Sequence, residues 1–191
     1  MNNLCLYREA IDFAYKAHQG HIKNADQRPY LVHPIQVALI LMQAGADDAV
    51  VIAGILHDVC EDGAQSVAAV SRNFGREIAE LVGSVTDDSS LPWQERKERD
   101  LQKFRSGDNR IRLLRAADVL ANISILLEEI SGQDFTLEDS TAQKGITEKL
   151  DKKIWYYKHI AQALEELWPE CALLEPIRSR LGELKKRAVR A

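Results

Sequence analysis

An adjacent histidine and aspartate, His57-Asp58, follow an almost unbroken apolar run from Ala49, and two further acids, Glu61 and Asp62, stand within the next turn. A helix that is apolar nearly all round is a buried one. Ionisable groups at its end would cost several kcal/mol if left unpartnered, and a bound cation offsets that cost. Spacing of i to i+4 places Glu61 on the helix face of His57 and Asp62 on that of Asp58, so one helix end could furnish two layers of a site. Imidazole combined with carboxylate suits a divalent transition metal such as manganese, iron or zinc rather than calcium.

His57 and Asp58 cannot complete a coordination sphere, and two further donors stand out. His33 directly precedes Pro34. Asp118 lies in a long apolar segment among Leu114, Ala117, Val119 and Leu120, where an unpaired carboxylate is expensive. Asn122 shares its helix face one turn on. Each residue has a plainer reading. A His-Asp pair can cap a helix, His33 can be a turn residue bonded to backbone, and Asp118 can pair with a buried Arg112 or Arg115. The ordered set of His33, His57-Asp58 and Asp118 favours a metal site.

The elements that must position these residues read as helical throughout. Glycine and proline are few, 10 and 5 in 191 residues, and apolar residues recur at i, i+3, i+4 instead of alternating. A first helix carries Leu6 to Ala17, and after the polar stretch Lys23 to Arg28, Pro29 imposes an extended link. A second helix opens near Pro34 and stops at Gly45, and Asp47 or Asp48 caps a third, Ala49 to about Cys60. Helices follow over about Ser66–Phe74, Arg76–Val85 and from Ser90 or Pro92 through Leu101. Residues 109 to 130 form a long apolar helix, Gly132 to about Ala142 a polar connection, and further helices run from Ile146 to Leu167 and from Leu173 to Arg187. The expected fold class is all-α, a single domain over residues 1–191.

Composition narrows the function. Lys plus Arg number 25 against 29 Asp plus Glu, a net charge of −4, whereas a general nucleic-acid binder shows a basic excess. The basic C-terminal stretch, Arg178 to Arg190, reads as a solvated helix end complementing the helix dipole. Three cysteines, Cys5, Cys60 and Cys171, have no paired spacing, so neither a disulfide framework nor a zinc ribbon is supported. No apolar stretch approaches the roughly 20 residues that cross a bilayer. A soluble cytoplasmic protein without nucleic-acid or membrane partners is expected, and a homo-oligomer stays open.

The constellation His33, His57-Asp58, Asp118 resembles that of the HD-domain metal-dependent phosphohydrolases. More closely, Tyr15-Lys16-Ala17-His18-Gln19-Gly20, Pro29-Tyr30-Leu31-Val32-His33-Pro34 and Gly54-Ile55-Leu56-His57-Asp58-Val59-Cys60-Glu61-Asp62 look like the hydrolase domain of the RelA/SpoT alarmone enzymes. Phe74-Gly75, Val85-Thr86-Asp87-Asp88, Leu91-Pro92, Glu95-Arg96-Lys97 and Ala116-Ala117-Asp118-Val119-Leu120-Ala121-Asn122 extend the likeness over residues 5–168, leaving 169–191 as a helical extension. The chain is thus similar to the stand-alone small alarmone hydrolases. That resemblance implies an HD-domain bundle of about eight to ten helices, with manganese held by His33, His57, Asp58 and Asp118. The implied activity is hydrolysis of the 3′-pyrophosphate of guanosine tetra- or pentaphosphate to pyrophosphate and GDP or GTP. Glu61 and Asp62 would then be the water-activating pair. Lys23, Arg96 and Lys97 would clamp phosphates, and Asn122, Lys152 and Tyr156 would hold the purine nucleotide.

The chain also departs from the family pattern. Lys23-Asn24 stands for the usual Arg-Lys pair, and lysine cannot stack on a purine as a guanidinium does. Val119, Ala121, Lys152 and Ser89 replace a lysine, an aromatic, an arginine and a lysine. An adenosine alarmone or the 2′-phosphate of NADPH are therefore alternative substrates, with another HD-type nucleotide hydrolase and a nucleotide sensor without turnover as further readings.

Overall fold

The computed structural model describes residues 3–19, 29–61, 65–132 and 140–188. Among them are nine α-helices and no β-strand: α1 (Asn3–Ala17), α2 (Val32–Gln43), α3 (Asp48–Leu56), α4 (Val67–Phe74), α5 (Arg76–Val85), α6 (Trp93–Ser106), α7 (Asn109–Gly132), α8 (Ser140–Leu167) and α9 (Leu174–Ala188). The all-α expectation holds. The chain divides into two compact units, Met1–Asp118 and Val119–Ala191, with α7 running from one into the other.

Local chemistry explains several helix starts. Asp47 sits in extended backbone and its carboxylate accepts the Val50 N–H at 3.1 Å, which caps α3. Ser66 does the same for α4 through the Ala69 N–H. Gly75, at φ +88°, turns the chain from α4 into α5, a conformation glycine adopts without strain. Pro92 precedes α6 without a side-chain cap, and the Ser90 hydroxyl is used by Asp88 instead.

In the first unit α3 is the central helix, packed by α1, α2 and α5, and every residue from Val50 to Leu56 is buried. A Cβ on Gly54 would come within 2.5 Å of Leu41 Cδ1, so the glycine lets α2 and α3 close on each other with Leu41 fully buried. In the second unit α8 packs on α9, with Ile160, Leu164, Ile177 and Leu184 at the core. The basic face of α9 is not all in solvent. Arg180 donates to Ser124 Oγ at 3.0 Å and Arg187 to the Leu127 carbonyl at 3.3 Å, pinning α9 to the latter half of α7.

Three boundaries differ from the sequence reading, the first being α6, which runs on from Leu101 to Ser106. Helix α8 begins at Ser140, inside the expected polar connection. Helix α3 ends at Leu56, before the His-Asp pair, and the chain continues in tight i to i+3 turns from Val59 N–H to Leu56 and from Glu61 N–H to Asp58. An i to i+3 turn stacks residues three apart. Glu61 is therefore brought to Asp58 by a turn and not by a continued α-helix, and the charges of both Asp58 and His57 act on it.

Candidate metal centre

Three segments of the first unit meet at the end of α3. His33 enters from the first turn of α2, His57 and Asp58 from the turns after α3, and Asp118 from α7; all four are buried. His33 Nε2 lies 3.2 Å from Asp118 Oδ1 and 3.6 Å from Asp58 Oδ2. His57 Nε2 lies 2.9 Å from Asp58 Oδ1 and 3.5 Å from Asp118 Oδ1.

The tautomer of His57 decides what this cluster can hold. Its Nδ1 donates to the Gly54 carbonyl at 2.8 Å, since a carbonyl oxygen can only accept. That leaves the Nε2 lone pair aimed at two carboxylate oxygens, an arrangement that requires a positive centre. A proton can fill the role. Burial works against a charged imidazole, but Asp58 and Asp118 outweigh it and push the His57 pKa up to about 10. Asp118 titrates well below the usual carboxylate range, because hydrogen bonds from His33 and His57 and the charge of Arg115 overcome its burial.

A divalent ion fits the same donor set. Two donors about 2.1 Å from one ion sit about 3.0 Å apart at right angles and about 3.4 Å apart at the tetrahedral angle, and the nitrogen–oxygen pairs here run from 2.9 to 3.6 Å. Ligand atoms of His33, His57 and Asp58 lie within 4.8 Å of one another. Two imidazoles with two carboxylates suit manganese, iron or zinc.

Supporting side chains surround the donors. Tyr30 donates to Asp58 Oδ2 at 2.7 Å, and burial beside Asp58 raises its own pKa so that it stays a phenol. The buried His18 ring stacks on Tyr30 at 4.4 Å between centroids. Arg115 donates to Asp118 Oδ2 at 2.9 Å, so the plainer sequence reading of Asp118 is realised on one oxygen while the other faces the histidines. Arg115 also bonds Asp100 and the Val85 carbonyl.

Glu61 Oε1 accepts the Asp87 N–H at 3.3 Å. Burial, then the charge of Asp58, pushes the Glu61 pKa up to about 7. Lys97 Nζ donates to Asp87 Oδ2 at 2.7 Å, so this phosphate candidate is held against an acid of the Thr86-Asp87 loop. Arg96 lines a cleft of about 310 Å³ with Thr86, Asp87, Asp88, Arg99 and Lys103. Asp62 and Lys23 lie outside the described residues. In the second unit Asn122 is half-buried on α7, Lys152 exposed and Tyr156 buried on α8.

The sequence reading missed Tyr30 and Asp100 as contributors. Tyr30 lies in the segment 29–34, three residues before His33, with nothing in its type to mark a hydrogen bond to Asp58. Asp100 is embedded in the charged run of α6, and its position one turn before the buried Phe104 is the signal that it faces inward.

A model of the HD domain matches residues 10–143, and the chain belongs to the HD domain family. It is 34% identical over 125 residues to the guanosine-3′,5′-bis(diphosphate) 3′-pyrophosphohydrolase MESH1 of Xenopus tropicalis, covering 64% of this chain and 70% of that protein. The Homo sapiens protein of the same name is 40% identical over 118 residues, covering 60% and 66%. Among solved structures, a metazoan ortholog of SpoT that hydrolyzes ppGpp superposes with a TM-score of 0.73 at 28% identity, covering 95% of this chain and 94% of that one. Among the described residues no helix is long and apolar enough to cross a membrane.

Proposed function

We propose that this chain is a cytoplasmic, manganese-dependent hydrolase of the 3′-pyrophosphate of guanosine tetra- and pentaphosphate, working as a single HD domain. The observation that carries the reading is the convergence of His33, His57, Asp58 and Asp118, with a lone pair of His57 facing carboxylate oxygens. The relatives named for this activity support it.

His33, His57, Asp58 and Asp118 would hold the ion, which when bound lowers the pKa of a water and neutralises charge on phosphoryl oxygens. Glu61 takes the proton of the attacking water. Its placement beside Asp58 and a pKa near neutrality suit a general base. The Asp87 N–H and the turn from Asp58 hold it in place. Water oxygen joins the phosphorus next to the ribose, the bond to the 3′ oxygen breaks, and that oxygen leaves as a hydroxyl with one proton. Asp62 assists Glu61, and Lys23, Arg96 and Lys97 supply positive charge for the phosphates. Lys97 contributes by exchanging Asp87 for a phosphate oxygen. Asn122, Lys152 and Tyr156 are assigned to the nucleotide on the family resemblance.

Val119 and Ala121 are fully buried. The case for an adenosine alarmone or NADPH then rests on Lys23-Asn24 and Lys152.

The test is product release by chelator-treated protein reloaded with manganese, against guanosine tetraphosphate, its adenosine analogue and NADPH, with Asp58→Ala as control. Pyrophosphate from the guanosine compound, lost in Asp58→Ala, is expected. Preference for the adenosine compound or NADPH would replace the substrate. Wild-type turnover in Asp58→Ala would overturn the site.

A further inference from the structure

We propose that Asp100 and Arg115 form a charge-balancing pair that positions Asp118 and sets how much of its negative charge reaches the metal. The inference rests on the assignment of Asp118 as a metal donor.

Arg115 and Asp118 are three residues apart on α7, so both project from one helix face. The guanidinium is a planar fork with fixed donor directions. One nitrogen takes Asp118 Oδ2 at 2.9 Å, and the other takes Asp100 on α6 and the carbonyl of Val85, the last residue of α5. With Oδ2 fixed, the carboxylate plane is fixed, and Oδ1 is delivered to His33 Nε2 at 3.2 Å and His57 Nε2 at 3.5 Å.

Charge balance gives Asp100 its part. Arg115 is 4% exposed and Asp100 3%, so water screens both only weakly, although Asp100 also borders the cleft that Arg96, Arg99 and Lys103 line. An arginine paired with Asp118 alone would neutralise the donor and weaken its hold on a cation. A second carboxylate on the same guanidinium restores one negative charge to the trio, and Asp118 is the member that faces the histidines. Groups that orient and tune a metal donor from behind change metal affinity by about 10–100-fold when altered. Val85 adds a link to the loop that follows, where the Asp87 N–H bonds Glu61. One guanidinium thus stands behind both a metal donor and the segment that holds the base.

A merely structural pair would affect folding and leave the metal untouched. Asp100→Asn separates the two roles, because the amide oxygen still accepts from Arg115 while the charge is gone. Manganese affinity is measured directly, by the paramagnetic resonance of the free ion, on chelator-treated protein. Folding of each variant is checked by circular dichroism and melting in chelator. Asp100→Asn is expected to stay folded and bind manganese about 10–100-fold more weakly. Asp100→Asn/Arg115→Met, which removes the uncompensated cation as well, is expected to recover affinity relative to Asp100→Asn while being no more stable. A structural role predicts no such reversal of sign. Should the amide unfold the domain, Asp100→Ser, with room for a water beside Arg115, is expected to show the same loss. Affinity within twofold of wild type in a folded Asp100→Asn would overturn the proposal, and a double variant weaker than the single would overturn its charge-balancing half and leave Arg115 a positioning residue only. Wild-type affinity in Asp118→Asn would instead overturn the metal assignment, and this proposal with it.

Discussion

Helix α7 carries two arginine-centred clusters within the first unit, and they behave as opposites. Near its start Arg110 bridges Asp47, the cap of α3, and Glu77 in the first turn of α5, at 2.9 and 2.7 Å. Five residues on, Arg115 bridges Asp100 and Asp118. The distances are alike. The exposures are not: Arg110 is 36% exposed and its partners 53% and 65%, whereas Arg115 and Asp100 are below 5%. Exposed pairs are screened and contribute about 0–1 kcal/mol, while removing one member of a buried pair leaves an uncompensated charge costing about 3–5 kcal/mol. Burial, and not pairing geometry, separates a fastening of the surface from the scaffold of the candidate metal centre.

Five measurements would break or sharpen that comparison. The largest effect is expected from Glu61→Gln, which keeps shape and removes the proposed base. Turnover should fall about 10²–10⁴-fold in steady-state assays, with manganese affinity near wild type. Arg115→Ala should lower the free energy of unfolding in urea by about 3–5 kcal/mol; a loss below about 1 kcal/mol would make the buried cluster no different from the exposed one.

Third, manganese binding should release protons. The ion needs the His57 lone pair, and with a pKa near 10 that nitrogen is protonated at pH 8, so affinity rises with pH up to about 10. Calorimetry in two buffers of different ionisation enthalpy counts the protons, and none released would contradict the proton-filled state of the free centre. Glu61 supplies a matching stability test without metal. Its folded pKa of about 7 lies above its ordinary 4.5, so its contribution is fully present below pH 4.5 and lost as pH rises through 7. Chelated Glu61→Gln should therefore melt higher than wild type at pH 8 and no higher at pH 4.5.

The smallest effect belongs to Arg110→Ala, expected to cost less than about 1 kcal/mol and to vanish in 1 M salt. A large, salt-independent loss would move Arg110 into the same class as Arg115.

Much of this arrangement is legible in the chain because it follows from local rules. Ser66 and Asp47 announce helix starts by side-chain chemistry, Gly75 marks a break, and the apolar run from Val50 to Leu56 marks a buried helix. His33, His57, Asp58 and Asp118 stand out because their charges fall where the pattern demands apolar residues. The turn after Leu56 was not legible. Whether a chain continues as α-helix or tightens to i to i+3 bonds depends on what packs against it, and neither His57 nor Asp58 forbids a helix.

Sequence alone determined the helical class, the order of the elements and the four candidate donors, since period, caps and misplaced charge are properties of neighbouring residues. Tertiary structure alone decided which groups stand behind those donors. Tyr30 and Asp100 lie 28 residues before Asp58 and 15 before Arg115, on other elements. Their hydrogen bonds exist because packing brings those elements together, and no local pattern encodes which buried donor will meet which buried acceptor.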